Sequence, residues 1–246
     1  MITNKDVPLS VNKRALSKVA LAISESHLPN KKKGLILIHG GGSFGHYYAK
    51  RFQLSRDPRH VDPVGITRTS SAMLRLHTFV VESLLSHRVA TETILPSELL
   101  KPDISSLSEQ GMRHVQNSLT NGLVPITFGD VGIDGSRAFI ISGDLICKAI
   151  AMSLKVEKVI FAMDVDGIYA NSAMKGKIIP RLSSVESIDT RIRFYDVTGG
   201  VESKLELGFQ LRKLGAQVFY VNGTKPSRLV NLLSGRIEKV ATQIVR

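Results

Sequence analysis

Three consecutive glycines, Gly40–Gly42, directly follow a run of aliphatic residues and constrain this chain more than any other stretch. The aliphatic run predicts a buried parallel strand, and the residues after the glycines can continue as a helix. Such a turn presents bare backbone N–H groups and a helix N-terminus to an anion. His46 stands at the far end of the turn, where a side chain could meet the same anion. The pattern favours a phosphate site over an ordinary tight turn with a solvated histidine.

Composition narrows the class of protein. With 246 residues, 43% of them hydrophobic, the chain can form one large α/β domain or two small ones. No apolar run is long enough for a membrane span, so we predict no membrane insertion. The single cysteine, Cys147, cannot form an internal disulfide, which favours a cytoplasmic location. The net charge of +12 invites a nucleic-acid partner, but the basic residues are spread along the chain. An anionic small substrate explains the charge equally well, and we predict no nucleic-acid partner.

Apolar strand patterns alternate with helical patterns along the chain. Strands are predicted at 34–38, 123–128, 138–141, 158–163, 217–221 and 239–245. Helices are predicted from Leu16 to near Pro29 and at 67–88, 110–121, 145–154, 201–214 and 227–233. This order predicts an α/β fold, a mostly parallel open sheet sandwiched between helices. Polar and glycine residues follow several strand ends, and ligands bind at that edge of open α/β sheets.

Three charged residues are candidates for phosphate chemistry. Asp144 and Asp164 could organise cationic groups or Mg²⁺ near phosphates, although each alone is also typical of a helix cap or loop. Lys204 follows a Gly-Gly pair by one helical turn and could add a point charge to bound phosphate, or be a solvated helix lysine. The sequence contains no P-loop signature, no Cys/His metal cluster and no Ser-His-Asp spacing. Phosphoryl transfer, which needs positioning and charge neutralisation, is the chemistry favoured.

A set of motifs occurs in the order found in a known family. They are HGGGSFGH at 39–46, SGD at 142–144, DVDGIY at 164–169, DVTGG at 196–200 followed by Lys204, and NG at 222–223. Over essentially its whole length the chain resembles the archaeal-type isopentenyl phosphate kinases of the amino acid kinase superfamily. The resemblance implies an amino acid kinase-like αβα sandwich and ATP-dependent phosphorylation of isopentenyl phosphate to isopentenyl diphosphate, a step of isoprenoid biosynthesis in a mevalonate pathway variant. It also implies Mg²⁺ with the ATP, and a homodimer.

The same resemblance implies roles for individual residues. Three are expected to be catalytic: His46, Lys5 and Asp144. Contact with the acceptor substrate is expected from Gly40, Gly41, His46 and Gly143. Contact with the nucleotide is expected from Gly42, Asp164, Gly200 and Lys204. No residue is expected to ligate a metal directly. Residues near Ile66, Met73 and Ile141 are expected to wall the pocket for the isoprenoid tail.

One departure from the family concerns the start of the chain. Family members have a strand, a lysine and a Gly-Gly-Ser turn just before the segment that corresponds to Ile2–Lys5. We therefore expect that a first strand and a Gly-Gly-Ser loop are missing before Met1, and that Met1 is an internal methionine. An in-frame stop codon immediately upstream would contradict this. We expect one amino acid kinase domain over 1–246, with an acceptor lobe at about 1–137 and a nucleotide lobe at about 138–246.

Two other functions stay open on the sequence. A related kinase could act on another phosphate or phosphonate, as the fosfomycin kinases do; His46 argues against a carboxylate acceptor. Alternatively, the chain could be a non-catalytic ligand-binding or nucleic-acid-binding protein of the same fold, which its basic charge would favour. A substrate panel and salt-dependent nucleic-acid binding separate these alternatives.

Overall fold

The computed structural model describes residues 1–4, 7–26, 34–54, 62–134, 137–169, 177–184 and 200–245. They belong to two compact units, a first unit of Met1–Ser153 and a second unit of Leu154–Arg246. The first unit contains α1 (Lys13–Glu25), β1 (Leu37–His39), α2 (Gly42–Arg51), α3 (Pro63–Ser86), β2 (Thr91–Thr93), α4 (Pro96–Leu99), α5 (Glu109–Thr120), β3 (Val124–Phe128), β4 (Asp130–Asp134), β5 (Arg137–Ile141) and α6 (Gly143–Ser153). The second unit contains β6 (Lys158–Met163), β7 (Arg181–Leu182), α7 (Gly200–Lys213), β8 (Gln217–Asn222), α8 (Pro226–Leu233) and β9 (Ala241–Ile244).

The first unit is built on a parallel sheet with helices on both faces. Its strand order is β1-β3-β2, and every residue of the central β3 is buried. Successive side chains of a strand point to opposite faces. Accordingly, His39 of β1 stacks on His77 of α3, while Ile38 lies against the start of α6. The carboxyl ends of β1 and β3 therefore meet between two layers of helices.

The second unit has a mixed sheet of order β6-β8-β9-β7. β6 pairs with β8 and β7 with β9 in parallel, whereas β8 and β9 are antiparallel. Four of the six strand pairs in the described chain are parallel, so the prediction of a mostly parallel α/β fold is confirmed. Within the described residues, no helix is both long and apolar enough to cross a membrane.

Several predicted boundaries were wrong. The strand placed at 34–38 is β1, which begins at Leu37 and includes His39, because His39 pairs with Phe128 in the parallel ladder. The helix placed at 67–88 begins at Pro63, where Asp62 accepts hydrogen bonds from the first amides and proline suits the first helical position. Helix α6 begins at Gly143, two residues before its predicted start.

The antiparallel hairpin of β4 and β5 was not predicted at its first strand. The strand at 123–128 was predicted with nothing but a turn before 138, but Asp130 opens β4 and pairs with Ile141. Gly132 interrupts the apolar alternation that marks a strand, and a side chain there would overlap the Phe139 ring. The compact units divide between Ser153 and Leu154; the functional lobes drawn at 137 and 138 stay a prediction.

Candidate active site

The glycine turn after β1 exposes backbone at one residue. Gly40 is exposed, and a Cβ added there would have no heavy atom within 4 Å. Gly41 is the N-cap of α2, and its carbonyl oxygen accepts hydrogen bonds from the amides of Phe44 (3.0 Å) and Gly45 (3.1 Å). The main chain around Gly40 can therefore be approached closely, beside a helix N-terminus that favours negative charge.

Thr3 satisfies one amide of that helix N-terminus. Gly42 has a φ of +47°, and a Cβ there would overlap Thr3 Oγ1. The same hydroxyl oxygen accepts a hydrogen bond from the Ser43 amide at 3.1 Å. The Ser43 amide is thus bound within the protein, and an anion at this terminus would face the amides that precede it.

Met73 of α3 supports the glycine turn from below. A Cβ at Gly41 would lie 3.1 Å from Met73 Sδ, and a Cβ at Gly45 would lie 2.8 Å from it. The absence of side chains at these two glycines lets α2 pack closely on α3. Met73 is therefore part of the packing of the turn; its expected place in the wall of an isoprenoid pocket stays a prediction.

The remaining first-unit candidates lie around the same turn. His46 is exposed and lies in the second turn of α2. A Cβ at Gly143 would lie 3.3 Å from Ile38 Cγ2 and 3.7 Å from the His39 carbonyl oxygen, so the start of α6 adjoins the end of β1. Asp144 is half-buried in the first turn of α6. The fold thus brings the glycine turn, Gly143 and Asp144 to one edge of the sheet.

A chain of hydrogen bonds through two buried imidazoles underlies the turn, and sequence reasoning missed it. His39 Nδ1 lies 3.2 Å from the Gly40 carbonyl oxygen, His39 Nε2 lies 3.1 Å from His77 Nδ1, and His77 Nε2 lies 2.7 Å from Thr93 Oγ1. Phe128 packs against both imidazoles, with ring centroids 5.4 and 4.5 Å away. Burial lowers the pKa of His39 to about 3 and the pKa of His77 to about 4. Both rings are therefore neutral at pH 7.

Asp130 also lies at this edge, and sequence reasoning gave it no role. It follows Gly129, whose amide donates a hydrogen bond to the His39 carbonyl oxygen at 3.1 Å. Its Oδ1 accepts a hydrogen bond from Ser70 Oγ of α3 at 2.6 Å. Burial raises the pKa of this carboxyl above its usual value. Asp130 thereby links α3 to the strand that leaves the candidate site.

In the second unit, the turn after β6 carries the predicted nucleotide residue Asp164, whose side chain is exposed. Asp166 anchors this turn, since its Oδ1 accepts hydrogen bonds from Asn222 Nδ2 (2.8 Å) and an Arg228 guanidinium nitrogen (2.5 Å). The Arg228 hydrogen bond is the main reason that the pKa of Asp166 is lowered. Asp166 and Arg228 were not singled out from the sequence; the pairing joins DVDG to the residues after β8.

Lys204, the other nucleotide candidate, lies in the second turn of α7 and is half-buried. Helix α7 begins at Gly200, one residue before its predicted start. Tyr220 of β8 is fully buried, and its hydroxyl donates a hydrogen bond to the Lys204 carbonyl oxygen at 2.6 Å. This bond fixes the backbone of α7 against β8 at the residue whose ammonium group is of interest.

Two parts of the predicted site lie outside the described residues: the catalytic candidate Lys5, and 196–199 of the DVTGG motif. Among the residues that are described, no group of three or more His, Cys, Asp or Glu side chains could hold a metal ion.

A strand, a glycine turn and a helix N-terminus at the carboxyl edge of a parallel sheet define a class of phosphate-handling α/β protein. The chain belongs to the amino acid kinase family, whose family model matches residues 2–221. It is therefore a phosphotransferase, and membership of a kinase family implies the use of ATP.

Relatives named isopentenyl phosphate kinase match over most of the chain. The chain is 30% identical to the isopentenyl phosphate kinase of Methanocaldococcus jannaschii, in an alignment 254 positions long that covers 97% of this chain and 93% of that protein. It is 26% identical to the isopentenyl phosphate kinase of Methanothermobacter thermautotrophicus, over 96% and 92% of the two chains. A solved structure described as isopentenyl phosphate kinase superposes with a TM-score of 0.82 at 22% identity, covering 99% of this chain and 96% of that one. The resemblance predicted from the motifs is confirmed; the roles of individual residues stay predictions.

Proposed function

We propose that this protein transfers the γ-phosphoryl group of ATP to isopentenyl phosphate and so forms isopentenyl diphosphate. The observation that carries the proposal is the exposed Gly40 backbone, which lies at the N-terminus of α2 with His46 one helical turn beyond. The names of the two archaeal relatives support the same acceptor.

On the acceptor side, the phosphate of isopentenyl phosphate binds at the carboxyl edge of the first-unit sheet. The Gly40–Gly41 backbone and the Gly143 backbone donate to its oxygens, and His46 neutralises part of its charge. Asp144, in the first turn of α6, orients the lysines that face the transferred group. Charge-assisted hydrogen bonds of this kind are stronger than neutral ones, which suits a doubly charged acceptor.

On the nucleotide side, Asp164, Gly200 and Lys204 contact ATP, and Gly42 offers its backbone to the ATP phosphates. Mg²⁺ enters with the ATP as part of the substrate. Its charge offsets the negative charge that the β- and γ-phosphates carry.

The reaction is an in-line displacement at phosphorus. A terminal oxygen of the acceptor phosphate forms a bond to the γ-phosphorus, and the bond from that phosphorus to the β–γ bridging oxygen breaks, releasing ADP. The protein needs no covalent intermediate, because bringing two anions together and neutralising their repulsion supplies the catalysis. Lys5 provides positive charge to the transferred group.

A substrate panel tests this proposal. The purified protein is incubated with MgATP and isopentenyl phosphate, fosfomycin or N-acetylglutamate, and ADP release is followed with mass detection of the product. We expect turnover with isopentenyl phosphate and isopentenyl diphosphate as product. Turnover only with fosfomycin would favour the sister-kinase alternative, and turnover with none would contradict the proposal.

We further propose that the protein is a cytoplasmic homodimer without a nucleic-acid partner. The family resemblance supports the dimer, and the single cysteine suits a reducing compartment. Light scattering after size exclusion measures the mass, which should be twice 26.9 kDa. Salt-dependent binding of DNA or RNA at physiological ionic strength would contradict the last part of this proposal.

A further inference from the structure

The Gly40 carbonyl oxygen determines which atoms donate and which accept in the chain of hydrogen bonds under the glycine turn. A carbonyl oxygen only accepts, so the His39 Nδ1 that faces it at 3.2 Å must carry the proton. A neutral imidazole has one N–H, so His39 Nε2 accepts and His77 Nδ1 donates across their 3.1 Å contact. By the same argument His77 Nε2 accepts from the Thr93 hydroxyl, 2.7 Å away. Every donor in the chain therefore has one acceptor.

The surroundings keep both imidazoles in this arrangement. His39 and His77 are stacked with centroids 5.3 Å apart and planes 15° from parallel, and both pack on Phe128. The side chains of His39 and His77 are buried, which disfavours the protonated form of either ring. Protonation of His39 would add an N–H at Nε2, which would face the Nδ1–H of His77 and break this arrangement.

The chain of hydrogen bonds ends on a peptide group of the candidate site. In a trans peptide the C=O and the N–H point in opposite directions. The hydrogen bond from His39 holds the Gly40 C=O toward the buried ring, so the Gly41 N–H points away from it. Neither Gly40 nor Gly41 has a Cβ that limits φ and ψ, so this hydrogen bond adds a restraint that the two side chains cannot supply.

We propose that the His39–His77–Thr93 chain is a positioning device that holds the Gly40–Gly41 peptide so that the Gly41 amide faces the anionic group of the acceptor. This inference rests on the proposed function, since it assigns the amide to the acceptor phosphate. His39 and His77 act through the backbone and touch neither substrate.

The tautomers of His39 and His77 test the chain of hydrogen bonds without reference to activity. In a ¹⁵N-labelled protein at pH 7.5, long-range ¹H–¹⁵N correlation spectra report which ring nitrogen of each histidine carries the proton. We expect the Nδ1–H form for both His39 and His77, with assignments from His39→Asn and His77→Gln. The Nε2–H form of His39 would overturn the proposal, because the Gly40 carbonyl would then have no donor from this ring.

Acceptor binding tests the consequence. Titration calorimetry with isopentenyl phosphate, without ATP, compares wild type with His39→Asn, His39→Leu and Thr93→Val. The Asn amide nitrogen can still donate to the Gly40 carbonyl, whereas Leu cannot. We expect His39→Leu to bind roughly 3- to 10-fold more weakly, the range for one lost hydrogen bond, and His39→Asn to retain most of the affinity.

Controls keep folding and function separate. Affinity for MgATP should be unchanged in every variant. A near-ultraviolet circular dichroism spectrum like that of the wild type confirms native packing of each variant. Thr93 is exposed, so Thr93→Val should fold even if His39→Leu does not, and it should bind isopentenyl phosphate more weakly by a smaller factor. Wild-type affinity in His39→Leu or in Thr93→Val would overturn the proposal. If wild type itself does not bind isopentenyl phosphate, the proposed function fails, while the tautomers still report on the chain.

Discussion

The hydroxyl oxygen of Thr3 accepts a hydrogen bond from the amide of Ser43 at 3.1 Å, across forty positions of sequence. Thr3 thereby caps α2 from outside the helix, because Gly41, the N-cap residue, has no side chain to do so. The N-terminal segment and the glycine turn are consequently one structural element, held further by a β-bridge between Thr3 and Val11.

Replacing this distant cap should weaken the turn. Thr3→Val keeps the shape of the side chain but removes the acceptor of the Ser43 amide, so we expect the free energy of unfolding to fall by about 1 kcal/mol. Thr3→Ser retains the oxygen and should lose much less. Urea denaturation followed by circular dichroism measures both; equal stability of the two variants would show that the hydroxyl does not cap α2.

Replacement by alanine should change stability differently at Gly42 and at Gly40 of the glycine turn. At Gly42 the φ of +47° and the contact with Thr3 make Gly42→Ala destabilising by more than about 1 kcal/mol. At Gly40 a Cβ meets nothing, so Gly40→Ala should stay within about 0.5 kcal/mol of wild type.

Gly40→Ala should weaken the use of isopentenyl phosphate although it hardly changes stability. Its methyl group would occupy the space through which we propose the acceptor phosphate reaches the backbone, so the KM for isopentenyl phosphate should rise while the melting temperature hardly changes. Steady-state kinetics and thermal denaturation on the same preparation check this. An unchanged KM in a folded Gly40→Ala protein would place the acceptor elsewhere.

The buried histidines should make the protein sensitive to acid. Burial lowers the pKa of His39 to about 3 and that of His77 to about 4, both below the ordinary 6.5, so the folded state favours the neutral rings. Their contribution is complete above about pH 6.5 and is lost as the pH falls from there toward the folded-state values.

Each histidine can add up to about 1.4 kcal/mol per pH unit to the fall in unfolding free energy over that window. His77→Gln removes one of the two titrating rings and should give a shallower pH dependence between pH 6.5 and 4.5. Urea denaturation at several pH values measures the slopes. Parallel curves for wild type and His77→Gln would contradict the assignment.

Asp130 should be a site where a neutral side chain is better for stability. Burial raises its pKa, so the ionised form that prevails at pH 7 is disfavoured by the fold. Asp130→Asn keeps an acceptor for Ser70 and removes the charge, and we expect a gain of about 0.5 kcal/mol in unfolding free energy at pH 7. The gain should shrink on acidification, as the wild-type carboxyl takes up its proton. Asp130→Ala, which also loses the Ser70 contact, should show no such gain.

The sequence predicted best what depends on local composition. β6 was predicted at its observed bounds, and β3 and β8 within one residue, because each is a nearly continuous run of apolar residues bounded by polar ones. Helix α5 was predicted to end before Gly122, whose φ of +72° suits a residue that follows a helix.

What the sequence could not supply are contacts between distant positions. Thr3 and Ser43, His39 and His77, and Asp166 and Arg228 are separated by 40, 38 and 62 residues, and no local pattern links them. His77 carried one usable signal, since it lies one residue from Leu76 in the buried stripe of α3, where a polar ring needs a partner. For Lys5 and for 196–199, the predicted roles lie outside the described residues and stay predictions.

The most direct test of the account is the kinetics of His46→Ala beside those of the wild-type protein, with MgATP and isopentenyl phosphate. If the imidazole shares the charge of the acceptor phosphate, kcat/KM for isopentenyl phosphate should fall by roughly 10- to 100-fold, the value of one hydrogen bond to a charged group, while the KM for ATP stays nearly constant. Equal rates for the two proteins would contradict the account, because His46 would then have no part in the reaction.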